Sequence, residues 1–149
     1  FGDGLSYNTF NYSMTSANAQ TVLKGAVVDT IGDKYHNDLI AAKQSDTLVE
    51  IPIAVQNLGP FSSAAEVVLV YVHPPKDALE QGLPIKSLRW FERVRFTTVG
   101  DVAKLHIALK ANDFRLARKS DGAMITPRGE WTVEIGHIKE PLRHTVIIQ

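Results

Sequence analysis

Residues 49–55 read Val-Glu-Ile-Pro-Ile-Ala-Val, with a branched apolar side chain at every second position. A period of two fits a strand that buries one face, and no helix can satisfy it. Val49, Ile51, Ile53 and Val55 are therefore expected to line a core. Pro52 has no N–H to give a ladder, so this strand is predicted at a sheet edge or at a bulge. Asn57-Leu58-Gly59-Pro60 supplies turn chemistry after it. The next segment, Glu66 to His73, is apolar on both faces, as a strand covered on both sides in the middle of a sheet must be. Pro74-Pro75 ends that run, and Lys76 to Pro84 is read as a connection crossing to a second sheet. Four more segments follow the pattern: Ser87 to Thr97, Val102 to Leu109, Glu130 to Gly136 and Arg143 to Gln149. Leu105, Ile107 and Leu109 should face inward in the second, and Trp131, Val133 and Ile135 in the third. Short strands between turn signals predict an all-β, two-sheet sandwich.

Residues 14–46 fit this scheme least. Residues 1–13 are read as a lead-in segment with a first strand, 14–46 as a long irregular arm or insertion, and 47–149 as the main body of one domain. Asp38 to Lys43 has an apolar face long enough for only one or two helical turns. A chain of 149 residues can bury one core of ordinary size. It must do so without a covalent staple, because there is no cysteine. Sixteen basic residues balance sixteen acidic ones, which gives no electrostatic reason to bind nucleic acid or an anionic membrane. The longest apolar run, Val67 to Val72, is far short of the roughly 20 residues of a spanning helix. A chain that starts at Phe1 without Met is expected to be a processed product or an excised piece.

The opening Phe1-Gly2-Asp3-Gly4-Leu5-Ser6-Tyr7-Asn8-Thr9-Phe10 resembles the FG-x-GLSYT-x-F segment that leads into one particular β-sandwich. That sandwich is the fibronectin type III-like domain at the C-terminal end of family-3 glycoside hydrolases, the β-glucosidases and β-xylosidases. Val55-Gln56-Asn57-Leu58-Gly59 resembles its V-x-N-x-G strand end, and Ala65 to Val72 its EVV-x-LYV strand. Pro84-Ile85-Lys86-Ser87-Leu88-Arg89-Trp90-Phe91-Glu92-Arg93-Val94 is similar to its P-x-K-x-L-x-GFERV segment, and Trp131 to Gly136 takes the place of its late G-x-Y-x-V-x-VG strand. Pro74-Pro75 and Phe91 to Val94 lean toward the β-xylosidase side. Trp90 stands where the family usually has Gly, Thr98-Val99-Gly100-Asp101 loosens its PGE turn, and Ser62-Ser63 stands where a Gly is common.

Retaining glycoside hydrolysis needs two carboxyl groups about 5 Å apart, and the resemblance places those groups on domains that precede this one. Glu50, Glu66, Glu92, Glu130 and Glu134 are all expected at outward strand positions as solvated charges, and no residue is assigned a catalytic role. His36, His73, His106, His137 and His144 show no ligand spacing, so neither a metal nor a cofactor is expected. Trp131 continues an inward series and belongs to the core, whereas Trp90, preceding an inward Phe91, should face out. Trp90, Leu5, Tyr7 and Phe10 are the candidate surface or interface contacts. Asn11-Tyr12-Ser13 is the one N-glycosylation triplet, which makes Asn11 a candidate glycan site.

The resemblance thus implies a fibronectin III-like, immunoglobulin-like sandwich acting as a non-catalytic accessory domain of a secreted enzyme that releases sugars from β-linked oligosaccharides. Its expected partners are the parent's catalytic domains or further copies of itself. Two rival readings stand beside it. One is a structural subunit assembling into an extracellular fibre or sheet through an edge strand or the arm. The other is a glycan-binding module, for which only Trp90 and Tyr35 offer aromatic faces.

Overall fold

The computed structural model describes residues 6–16, 20–23, 47–80, 82–122 and 124–149. The described residues form ten strands: β1 (Thr9–Met14), β2 (Gln20–Leu23), β3 (Thr47–Gly59), β4 (Ala64–His73), β5 (Ser87–Phe96), β6 (Val102–Lys110), β7 (Leu116–Ala117), β8 (Met124–Ile125), β9 (Gly129–Ile135) and β10 (Leu142–Ile148). One helical turn, α1 (Lys76–Leu79), lies between β4 and β5, and a 3-10 turn (Ala111–Phe114) follows β6. A three-stranded sheet, β1-β3-β6, faces a five-stranded sheet, β2-β10-β9-β4-β5, and β7 pairs with β8 separately.

The two inner faces follow from period-two alternation. Val49, Ile51, Ile53 and Val55 of β3 and Leu105, Ile107 and Leu109 of β6 are buried on one sheet. Val68, Val70 and Val72 of β4, Trp131, Val133 and Ile135 of β9, and Val146 and Ile148 of β10 meet them from the other. Antiparallel registers bring Ile53 opposite Leu105, Ile51 opposite Ile107 and Val70 opposite Ile135. Aligned cross-strand pairs of this kind keep the apolar rows on one side of each sheet. The doubly apolar β4 does sit inside its sheet, between β9 and β5.

Three expectations from sequence are corrected here. Pro52 lies neither on an edge strand nor at a bulge: β3 is the centre of its sheet and Pro52 pairs with His106. Pro52 O accepts from Thr15 N at 3.1 Å, and the N and C=O of one strand residue point to the same side. The missing N–H therefore faces Thr15, just past the end of β1, so only the reciprocal bond at that end of the ladder is forgone. The stretch from Lys76 to Pro84 does not cross between sheets, since β4 and β5 are antiparallel neighbours in one sheet; the crossing is made by the turn between β5 and β6. Trp90 and Phe91 exchange roles. Trp90 is opposite Val70 and packs partly buried against the core, while Phe91 is 69% exposed. The register slips between Val70 and Tyr71, leaving Arg89 as the extra residue, and the buried Val94 and Phe96 share Trp90's parity.

Within the segment read as irregular, residues 20–23 form β2, paired in parallel with β10. Four residues carry too little pattern to announce a strand; β10 supplies the ladder that makes them one. Asp38 to Lys43 lies outside the described residues, as do Leu5, Tyr35 and His36.

Ile53→Ala and Ile107→Ala, both fully buried, should each cost about 2–5 kcal/mol. Glu50→Ala, on the exposed face of β3, should stay within about 0.5 kcal/mol. Urea midpoints measure both, and a Glu50 variant as damaging as the Ile53 variant would mean that the faces of β3 are reversed.

Candidate functional site

The inward parity of β4 carries a carboxylate into the sandwich at its end. Glu66 shares a face with Val68 and Val70 and is 4% exposed, although it was expected at an outward position. Both faces of β4 are apolar, so its sequence alone does not say which one turns to the core; the equal parity of Glu66 and Val68 to Val72 was the available signal. A buried carboxylate needs donors. Tyr12 on β1, in the opposite sheet, donates its hydroxyl to Glu66 Oε1 at 2.7 Å, and His137 Nε2 stands 3.7 Å from the same oxygen. Burial first, then the bond to Glu66, holds the Tyr12 hydroxyl far above the usual phenol range, so it remains a donor at any ordinary pH. The Tyr12 ring lies against Gly136, where an added Cβ would approach it to 3.2 Å and φ is +88°. Only glycine serves there without strain.

Beside this link lies an open cavity of about 460 Å³, lined among others by Phe10, Glu66, His137, Ile138 and Lys139. A second charged group occupies the outer face of the five-stranded sheet. Glu134 meets His73 at 3.3 Å, Lys86 at 3.5 Å and Arg143 at 3.9 Å, and Lys86 also sits 4.5 Å over the Tyr71 ring. One carboxylate shared by two cations and a histidine is a surface network, not an acid and base pair. His144 faces inward on β10, its Nε2 2.8 Å from Thr21 Oγ1 of β2 and its Nδ1 buried without a partner. Among the described residues no group of three or more His, Cys, Asp or Glu is placed to hold a metal ion. No helix there is long and apolar enough to cross a membrane.

The residues singled out from sequence scatter over the molecule. Asn11 is exposed on β1. Phe10, expected as a surface contact, is buried, its ring 5.5 Å from that of Phe96 across the sandwich; as an apolar residue on the inward face of β1 it belongs to the core. Trp90 is half-buried against that core. Tyr7 remains open, at 90% exposed.

Tyr7 stands next to a polar hub that the turn motif only hinted at. Asn57 is completely buried, and its Oδ1 accepts from Asn8 Nδ2 at 2.8 Å and from Gly59 N at 3.0 Å. Its Nδ2 donates to Phe61 O at 3.0 Å and to Thr98 O at 3.2 Å. One amide thus joins the lead-in segment, the turn after β3 and the turn after β5. The departure at Thr98 to Asp101 leaves that last turn intact, because Asp101 Oδ2 accepts from Thr97 N and Thr98 N.

Two measurements test this arrangement. Tyr12→Phe removes the donor of a buried carboxylate and should cost about 1–3 kcal/mol, more than its small change in shape implies. Acid should also weaken the fold. His144 is held below the ordinary imidazole value by burial, and His73 by burial that outweighs the pull of Glu134. Their contribution is full above about pH 6.5 and is lost as pH falls through the depressed folded values. Urea midpoints between pH 7.5 and 5 should fall, and His144→Gln should flatten that slope.

Comparison with known proteins agrees with this architecture. Residues 66–138 match the fibronectin type III-like domain family. Probable beta-glucosidase G of Emericella nidulans is 28% identical across 99% of this chain, and the match takes up 17% of that protein. Probable beta-glucosidase J of Neosartorya fischeri is 32% identical over 73% of the chain and 10% of its own length. Among solved structures, the Beta-D-glucoside glucohydrolase of Trichoderma reesei superposes over 100% of this chain and 20% of its own, with a TM-score of 0.70 at 21% identity. The GH3 beta-glucosidase of Bifidobacterium adolescentis does so over 99% and 18%, with 0.65 at 26%. The chain spans a fifth or less of the length of these relatives. On the fold, the family match and these relatives, the chain belongs with the fibronectin type III-like domains of the family-3 glycoside hydrolases.

Proposed function

We propose that the chain serves a β-glucosidase of family 3 as its non-catalytic accessory domain, stabilising the enzyme by packing against its catalytic domains. The observation that carries this reading is that a small fraction of a β-glucosidase relative covers nearly the whole chain. The lead-in segment and the loops tied to Asn57 supply the docking end. Tyr7, Leu58, Phe61 at 57% and Val99 are exposed there, around a hub that fixes their backbone. Large apolar side chains held open on ordered loops are the usual mark of an interface. An extracellular setting is part of the proposal, and the exposed Asn11 in its sequon is compatible with it.

Alone, the chain should release no aryl alcohol from aryl β-glucosides or β-xylosides. Turnover that survives removal of contaminating enzyme and disappears on mutating a Glu of this chain would overturn the reading. In a full-length β-glucosidase carrying this domain, Phe61→Ser with Val99→Ser should lower the temperature of thermal inactivation. The same pair should barely move the urea midpoint of the isolated chain. A large loss in the isolated chain would make these residues part of its own core.

A further inference from the structure

The cavity beside the Tyr12–Glu66 link has features that the accessory role does not use. Its volume, about 460 Å³, falls in the roughly 300–1,000 Å³ range of small-molecule pockets. At its wall Glu66 is almost wholly buried, yet the described residues give it one hydrogen bond, from Tyr12. An ionised carboxylate accepts up to about four. His137, at 3.7 Å, is beyond hydrogen-bond reach, and its own Nδ1 is buried without a partner. Glu66 therefore brings spare acceptor capacity to the cavity wall, which a ligand with hydroxyl donors can take up.

The lining indicates what that is. Glu66 and Glu140 on one side and Lys139 on the other put groups of both signs in the lining, so no single-sign patch marks it for a simple ion. Donors and acceptors alternate, with the hydroxyls of Ser6 and Thr9 added, while Phe10 and Ile138 give an apolar wall. A neutral ligand with hydroxyls on its rim and C–H bonds on its faces satisfies all of these at once. We propose that this cavity binds a single pyranose unit, with two adjacent ring hydroxyls donating to Glu66, a third group meeting His137 or Lys139, and a C–H face against Ile138. No bond is made or broken, and the site is independent of whether the chain serves an enzyme.

Titration of the ¹⁵N-labelled chain with methyl β-D-glucopyranoside, followed by amide shifts, tests this. Saturable shifts are expected at Glu66, His137, Ile138 and Lys139, with a dissociation constant on the order of 1–10 mM. Glu66→Gln should weaken binding roughly tenfold, and Lys139→Ala, on an exposed loop, should weaken it severalfold with an unchanged spectrum elsewhere. Shifts that fail to saturate, or that saturate alike in both variants, overturn the proposal. So does saturation of the same amides by guanidinium chloride but not by the glucoside, which would make the cavity a receptor for a basic side chain of a neighbouring domain.

Discussion

With no cysteine available, the two sheets are held together by what their inner faces bury, and the largest fully buried side chain there is Trp131. Its ring is fully buried on β9, edge-on to Phe114 at 5.4 Å, and its indole N–H donates to Pro127 O at 2.9 Å. A large side chain with a polar tip can be buried completely only when that tip finds a partner. The irregular stretch between β8 and β9 provides it, and the 3-10 turn after β6 provides the ring beneath. Elements too short to hold a shape themselves are thus fixed by one aromatic anchor. Phe10 against Phe96 repeats the arrangement between β1 and β5.

The apolar layer leaves the ends of the sandwich to polar groups, and these carry geometry more than energy. Asn57 holds three loops through one amide because its donors and acceptor are all engaged in a buried position, where an unpaired group would be costly. Tyr12 and Glu66 do the same between the sheets, with the difference that the carboxylate is left with acceptor capacity. Full satisfaction at the first end gives a rigid platform for the exposed Tyr7, Phe61 and Val99. Partial satisfaction at the second opens onto a cavity.

The position of these features bears on the proposed packing role. Glu134 is met by Lys86, Arg143 and His73 on the outer face, and Glu66 is held by a tyrosine within the sandwich. Both carboxylates are engaged in cohesion, while Tyr7, Leu58, Phe61 and Val99 stand open on the loops tied to the lead-in segment. A rigid sandwich that presents its loops at one end suits packing against a neighbour.

The sequence by itself determined the seven longer strands, the inner rows of β3, β6 and β9, and the family, because period-two alternation and the motifs around Asn57 and Phe91 are local properties of the chain. It misjudged Pro52, Trp90 and Glu66 for one shared reason: each depends on the neighbouring strand. Whether a proline costs a ladder bond depends on where the partner strand stops. Which of two adjacent aromatics faces inward depends on the bulge at Arg89 that pairing with β4 imposes beside them, and which face of a doubly apolar strand meets the core depends on the second sheet. β2 exists because β10 offers it a parallel ladder. The Tyr12–Glu66 link joins residues 54 apart in sequence, on strands of different sheets, and only tertiary packing could bring them within a hydrogen bond.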